Sequence, residues 1–109
     1  CAQLEMLDNY LIEKRKLAVE YKKMFSKQNL KFRDELNDTK VNFWLMAIEL
    51  ANKKERDLFL NETNENGIMT RPIWQLMYRL PMYKDCQRDG QANAMFLEER
   101  IVNIPSSVR

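Results

Sequence analysis

The first quarter of the chain has the apolar spacing of an amphipathic helix. Between residues 2 and 27 the apolar side chains recur every three or four positions, and no glycine or proline interrupts them. The residues that carry this spacing are Leu4, Leu7, Leu11, Ala18, Tyr21, Met24 and Phe25. A period of 3.6 residues places such side chains on one face of a helix, with the charged residues on the other. The pattern therefore predicts one long helix over residues 2–27.

The apolar positions that follow predict two strands. Residues 30–33 alternate apolar and polar side chains, which indicates a short strand, and a turn-like patch follows at residues 37–40. Residues 41–50 are mostly apolar and include β-branched and aromatic side chains. Such continuity is typical of a strand that is buried on both faces in the middle of a sheet.

A second helix and a third strand come next. Residues 53–66 place apolar side chains among charged ones and end at Gly67, which predicts a helix closed by a C-terminal glycine. Residues 68–74 predict a strand. Pro72 removes one backbone donor from that strand, so we expect it to lie at a sheet edge or a strand end.

The final third of the chain predicts small elements. After Pro81 we expect a short helical turn, then a brief helix over residues 91–99 and a last strand over residues 101–104. The whole order is helix, strand, strand, helix, strand, helix, strand. This order predicts an α+β domain in which a long N-terminal helix precedes a small, three- to four-stranded, mostly antiparallel sheet with helices on one side.

Composition excludes several kinds of site. The 109 residues include no histidine, so a Ser-His-Asp triad, a Cys-His dyad or a His-ligated metal site cannot be built from this chain alone. The formal charge of +2 predicts no nucleic-acid partner, and the longest apolar run, residues 43–48, is too short to cross a membrane. We read Cys1 and Cys86 as reduced thiols of a soluble, cytoplasmic protein.

The two ends of the sequence predict a piece of a larger protein. The sequence begins at Cys1, already inside the helical pattern, and residues 104–109 have the composition that usually precedes a further element. We therefore expect residues 1–109 to form one domain of a longer chain. A complete protein that was processed, or cleaved from a tag, is the alternative.

The side chains best suited to bind a ligand lie between residues 66 and 83. This stretch holds two arginines, one tryptophan and two tyrosines in and after a predicted strand. Arginine offers fork-shaped donors to phosphate or carboxylate, and aromatic rings stack on sugars or bases. The candidates are Arg71, Trp74 and Tyr78. A structural ion pair remains open for Arg71, and packing in the core or at an interface remains open for Trp74 and Tyr78.

The same stretch resembles the C-terminal part of the DegT/DnrJ family of sugar aminotransferases. The resemblance rests on residues 67–74 (GIMTRPIW), 80–83 (LPMY) and 101–107 (IVNIPSS). Residues 1–5 (CAQLE), Lys14, Arg15, Tyr21 and residues 42–45 (NFWL) match the helix and strand that lead out of the large domain of the family. The matches follow the family's order over nearly the whole chain.

The resemblance implies the small domain of a fold-type-I enzyme that depends on pyridoxal phosphate. Members are dimers that move an amino group from glutamate to a keto sugar. The most similar branch acts on nucleotide-linked 4-keto-6-deoxy N-acetylamino sugars, toward legionaminic-acid-like or bacillosamine-like surface sugars. The lysine that binds the cofactor belongs to the large domain. The resemblance therefore implies that this chain alone holds no catalytic or cofactor-binding residue and is inactive.

The resemblance also implies roles for the candidate residues on the substrate side. Many relatives carry a histidine in the loop after the third strand, where it helps to hold the sugar, and Tyr78 occupies that position here. Arg71 replaces a smaller residue of the wider family, while Trp74 lies between the two. Two alternatives stay open: the small domain of a related sugar dehydratase, and a non-catalytic α+β module that binds a partner through residues 74–83.

Overall fold

The chain folds into one antiparallel sheet with helices packed against it. The computed structural model describes residues 2–108. Cys1, one of the two predicted thiols, and Arg109 lie outside the described residues. The elements are α1 (Ala2–Glu5), α2 (Leu7–Lys27), β1 (Lys31–Phe32), β2 (Met46–Glu49), α3 (Lys53–Glu65), β3 (Arg71–Pro72), α4 (Ala92–Glu98) and β4 (Ile101–Ile104), with 3-10 turns at Met77–Arg79 and Pro81–Tyr83.

The four strands lie in the order β1-β2-β4-β3, and every neighbouring pair is antiparallel. β2 and β4 therefore occupy the centre, and β3 forms an edge, as Pro72 predicted. The predicted α+β class is confirmed, with a long N-terminal helix and a small antiparallel sheet.

The core lies on one face of the sheet. Successive strand residues point to opposite faces, so the register places alternate residues of β2 and β4 together. Those residues are Met46, Ile48, Val102 and Ile104, all buried. Ala18 and Phe25 of α2 join the same cluster, and Phe59 and Leu60 of α3 pack against it. Both helices thus cover one face, as predicted.

α3 begins and ends on recognisable backbone signals. The Asn52 side chain accepts a hydrogen bond from the backbone N–H of Glu55 at 3.0 Å, which caps the first turn. At the other end Gly67 adopts a φ of +76°, and the N–H of Ile68 donates to the carbonyl of Thr63 at 2.8 Å. This bond completes a Schellman motif, which favours glycine because the left-handed backbone is costly for other residues.

The strand predicted over residues 41–50 is much longer than the observed strand, Met46–Glu49. The Asn42 side chain accepts a hydrogen bond from the Trp44 N–H at 3.0 Å, and buried Phe43 adopts a φ of +51°. This left-handed turn breaks the extended backbone before Met46, so that Trp44 and Leu45 leave the core. The prediction is correct for Met46–Glu49, where the strand is central and mostly buried.

Two other predicted elements differ from the structure, and one turn was not predicted. The strand expected over residues 68–74 shrinks to Arg71–Pro72, because proline cannot donate to the ladder beyond it. The helix expected over residues 2–27 is interrupted once, at Met6, where φ is −97° and ψ is 0°. The 3-10 turn Met77–Arg79 was not predicted. None of the helices in the described part of the chain is long and apolar enough to cross a membrane.

Glu49 forms a small charge cluster at the β1 edge. Its carboxylate lies 3.1 Å from Nζ of Lys31 and 3.0 Å from Nη1 of Arg33. Burial raises the pKa of Glu49, but the hydrogen bonds and charges of Lys31 and Arg33 outweigh this effect and hold the pKa below its usual value. The ionised form is therefore stabilised by folding.

We expect this cluster to make the fold sensitive to acid. A carboxyl whose pKa is lowered on folding stabilises the fold above its unfolded pKa of about 4.3, and that contribution disappears as the pH falls through the folded pKa. The free energy of unfolding, measured by urea denaturation from pH 6 to roughly pH 3, should fall less steeply in Glu49→Gln than in the wild type. Glu65→Gln, at an exposed position, should follow the wild type; identical slopes in all three proteins would contradict the prediction.

Candidate functional site

A groove of about 730 Å³ lies on the face of the sheet opposite the core. Its floor follows from the register, because Arg71 of β3 stands beside Asn103 of β4, and both line the groove. The lining residues that extend this row are Leu45, Met69, Ile73, Pro105 and Ser107, and the rim adds Lys14, Trp44, Pro72, Trp74, Ile104 and Ser106. Mixed apolar and polar lining of this kind suits an organic ligand that carries polar groups.

Arg71 lies in this groove and has neutral partners. Its Nη1 donates to the Asn64 side chain at 3.2 Å and to the carbonyl of Thr70 at 3.1 Å. Asn64 is itself held, since its amide donates to the hydroxyl of buried Thr70 at 3.0 Å. No carboxylate pairs with Arg71 among residues 2–108, so the structural ion pair considered from the sequence is not seen there. The guanidinium keeps free donors for an anionic or carbonyl ligand.

Trp74 shares the groove with Trp44. The two indole rings lie 6.4 Å apart with an interplanar angle of 43°. Trp74 is 73% exposed and Trp44 is 66% exposed, so neither ring belongs to the core of the described chain. Together they offer broad aromatic surface beside the Arg71 guanidinium, which is the combination that stacks on sugars or bases.

Tyr78 lies in a second pocket, of about 340 Å³, and not in the groove. Arg88 sits over its ring at 4.9 Å from the centroid, and Arg79 lies 5.7 Å away. Nε of Arg79 donates to the Tyr78 hydroxyl at 3.3 Å, and this bond is the largest effect that raises the pKa of Arg79. The phenolic O–H can therefore donate outward, within a positively charged surrounding. The structure brings Arg71 and Trp74 together and keeps Tyr78 apart.

Sequence reasoning missed the groove residues that lie far along the chain from Arg71 and Trp74. Lys14 lies on a helix face that the charge pattern marked as solvated, yet its Nζ donates to the carbonyl of Ser106 at 2.6 Å and of Trp44 at 3.4 Å. Ser106, in the segment expected to lead into another element, is buried. Trp44 was missed because residues 41–50 were predicted as a buried strand. The one local indication of a turn there is Asn42, a residue type that is common in turns.

Ser106 is expected to be a structural anchor of the groove. Its Oγ accepts a hydrogen bond from the Met46 N–H at 2.8 Å and donates to the Ile104 carbonyl at 2.8 Å. Ser106→Ala leaves the buried Met46 N–H without its partner, so the free energy of unfolding should fall by about 1–3 kcal/mol. Urea denaturation measures this loss, and Ser107→Ala, at the exposed neighbouring position, is the control. Equal stability of the two variants would show that Oγ of Ser106 has no anchoring role.

The described residues do not form a cradle for pyridoxal phosphate. Lys14 is the lysine that lines the groove, and its ammonium group is engaged by two carbonyls. Neither Gly67 nor Gly90 lines the groove, so the close backbone approach typical of phosphate-binding loops is missing there. Among residues 2–108, no three His, Cys, Asp or Glu side chains are placed to hold a metal ion. The described residues that line the groove therefore do not fit pyridoxal phosphate.

Comparisons with known proteins place these observations in context. The family model for the DegT/DnrJ/EryC1/StrS aminotransferase family matches residues 1–109. A GDP-perosamine synthase of Escherichia coli O157:H7 is 30% identical over 105 residues, which cover 96% of this chain and 28% of that protein. A GDP-perosamine synthase of Vibrio cholerae is 29% identical over 108 residues, which cover 96% of this chain and 29% of that protein.

The chain thus spans less than a third of the length of the relatives it matches. Neither relative's name mentions legionaminic acid or bacillosamine, so the branch expected from the resemblance stays a prediction. The comparisons do not test the roles of Arg71, Trp74 and Tyr78 in binding a substrate, and these roles also stay predictions.

Proposed function

Because the chain belongs to the DegT/DnrJ/EryC1/StrS aminotransferase family, we propose that it is the C-terminal small domain of an enzyme that aminates a nucleotide-linked keto sugar. The enzyme takes the amino group from glutamate and places it on the keto carbon of a 4-keto-6-deoxy sugar. Glutamate leaves as 2-oxoglutarate, so the carbonyl oxygen and the amino group are exchanged between the two substrates. The family match over residues 1–109 is the observation that carries this proposal.

The chain's own part in this reaction is to bind and orient the substrate. Arg71 and Trp74 share one groove, where the guanidinium offers paired donors to an anionic group and the indole offers a stacking surface. Tyr78 offers a phenolic donor between two guanidinium groups, which suits a sugar hydroxyl or a phosphate oxygen. The enzyme's cofactor is pyridoxal phosphate, which supplies the electron sink for moving the amino group and is held by residues outside this chain.

The proposed enzyme is a cytoplasmic homodimer, and the 109-residue chain by itself is inactive. The free, exposed thiol of Cys86 is compatible with a reducing compartment. The inactivity is supported by the groove in the described residues, since its lysine, Lys14, is engaged by two backbone carbonyls.

An assay of the full-length protein that contains this chain tests the proposal. The protein is incubated with glutamate and a panel of 4-keto-6-deoxy sugars on different nucleotides, including GDP because both relatives are named for a GDP-linked sugar. We expect equal amounts of 2-oxoglutarate and amino sugar from at least one substrate. A dehydrated sugar would instead identify the dehydratase alternative, and no conversion of any substrate would favour the non-catalytic module. The isolated chain, as the matched control, should show no turnover.

A further inference from the structure

One buried carboxylate holds both ends of the turn that carries Tyr78. Glu98, the last residue of α4, is 7% exposed. Its Oε1 accepts a hydrogen bond from the backbone N–H of Leu76 at 3.1 Å, and its Oε2 lies 2.8 Å from Nη1 of Arg79. Leu76 precedes the 3-10 turn Met77–Arg79 and Arg79 closes it. The two carboxylate oxygens of Glu98 therefore contact both ends of the turn Met77–Arg79.

The burial of this carboxylate requires an explanation. A carboxylate removed from water destabilises the fold unless an opposite charge and hydrogen bonds compensate for the lost solvation. Oε2 of Glu98 is shut off from solvent, and its contact among residues 2–108 is the ion pair with Arg79 rather than a well-aligned hydrogen bond. The carbonyl of Glu98 also accepts a bond from Nη1 of Arg56 in α3 at 2.7 Å. Glu98 is thus anchored to α3 and gives the turn a fixed point.

The same contacts extend to Tyr78. The Arg79 guanidinium that pairs with Glu98 also donates from Nε to the Tyr78 hydroxyl at 3.3 Å. Arg88 lies over the Tyr78 ring at 4.9 Å from its centroid. Loss of the Glu98 charge would free the Arg79 guanidinium. The Tyr78 hydroxyl would then lose its oriented donor, and the turn would lose one of its two attachments to Glu98.

We propose that Glu98 is a positioning residue, which acts through Leu76 and Arg79 to hold the Tyr78 side chain in its orientation toward the second pocket. The contribution of Tyr78 to substrate binding, and therefore this proposal, rests on the proposed function. Glu98 does not line the pocket itself, since the lining comes from residues 76–78 and from residues 83–91.

The test uses the full-length protein with Glu98→Gln, which keeps an acceptor for the Leu76 N–H and removes the ion pair. Glu65→Gln, at an exposed position of α3 whose charge does not act on Arg79, is the control. The first measurement is the rate of tryptic cleavage after exposed Arg79, which should rise several-fold in Glu98→Gln and remain unchanged in the control. This readout reports the turn and needs no substrate.

The second measurement is a double-mutant cycle with Tyr78→Phe. In the Tyr78 background, Glu98→Gln should raise KM for the sugar nucleotide about tenfold while kcat changes less. In the Tyr78→Phe background the same substitution should have little further effect, because the hydroxyl that it positions is already gone. If Glu98→Gln fails to fold, Arg79→Lys should reproduce the KM effect, because it keeps a positive charge beside buried Glu98 but removes the Nε donor to the Tyr78 hydroxyl.

The possible outcomes separate this proposal from the proposed function. Unchanged cleavage after Arg79 overturns the attachment of the turn by Glu98, here called the clamp, whatever the kinetic result. Faster cleavage with an equal KM effect in both backgrounds overturns the positioning of Tyr78, while wild-type turnover would still support the aminotransferase. Absence of wild-type turnover contradicts the proposed function, and faster cleavage would then still support the clamp.

Discussion

In the full-length protein, Arg71→Ala is expected to lower kcat/KM for the sugar nucleotide about tenfold to a hundredfold. A hydrogen bond to a charged group contributes about 1.5–3 kcal/mol, and its loss in the transition-state complex appears directly in kcat/KM. The guanidinium qualifies for this role because it lies in the groove, has neutral partners on Nη1 and pairs with no carboxylate in the described part of the chain. Steady-state kinetics at subsaturating sugar nucleotide measures the ratio.

Two matched variants make the result specific. Arg71→Lys keeps the charge but loses the fork-shaped donors, so its kcat/KM should fall between those of the wild type and Arg71→Ala. Arg33→Ala removes a guanidinium beside β1, at the opposite edge of the same sheet, and should leave the ratio unchanged. An Arg71→Ala enzyme with wild-type kcat/KM would show that Arg71 does not bind the substrate.

Ile48→Ala is expected to cause the largest loss of stability, about 2–5 kcal/mol. Ile48 is 0% exposed at the centre of β2, where it stands between Phe32 of β1 and Val102 of β4. The substitution removes buried methyl groups and leaves a cavity that the neighbouring strands cannot fill. Since a domain of this size is stable by roughly 5–15 kcal/mol, a loss of this magnitude is a large part of the total.

Urea denaturation of the 109-residue chain measures the Ile48→Ala effect, with an unchanged m-value as the sign that unfolding exposes the same surface. Ile12→Ala is the control, because Ile12 lies on α2 and is 52% exposed. The control should change the free energy of unfolding by less than about 0.5 kcal/mol. Equal losses in the two variants would contradict the placement of Ile48 in the core.

The candidate site was only partly accessible to sequence reasoning. Arg71 and Trp74 were predicted together because both lie in the strand predicted over residues 68–74, and the structure places both in one groove. Tyr78 was grouped with them because it follows that strand closely, but a 3-10 turn at Met77–Arg79 carries it into a second pocket. Spacing along a chain predicts proximity within a strand, whereas it loses that power once the backbone turns.

The residues that the sequence did not reveal reach the site from elsewhere in the chain. Lys14 and Ser106 are 92 positions apart, and their contact depends on how α2 lies across the end of the sheet. Glu98 reads as an ordinary charged residue of a short helix until its two oxygens are seen on Leu76 and Arg79. A single sequence carries no local signal for such pairs.

Local chemistry by itself determined much of this protein: the helix from its apolar period, the end of α3 from Gly67, the sheet edge from Pro72, and the class of the domain from the order of its elements. Each of these depends on residues within a few positions of one another, whose backbone preferences act before any distant contact forms. The tertiary structure alone decided where β2 begins, which side chains face the groove, and which carboxylate holds the turn of Tyr78. Those outcomes depend on packing and charge pairing between segments far apart in the chain, and such energies arise only after the segments meet.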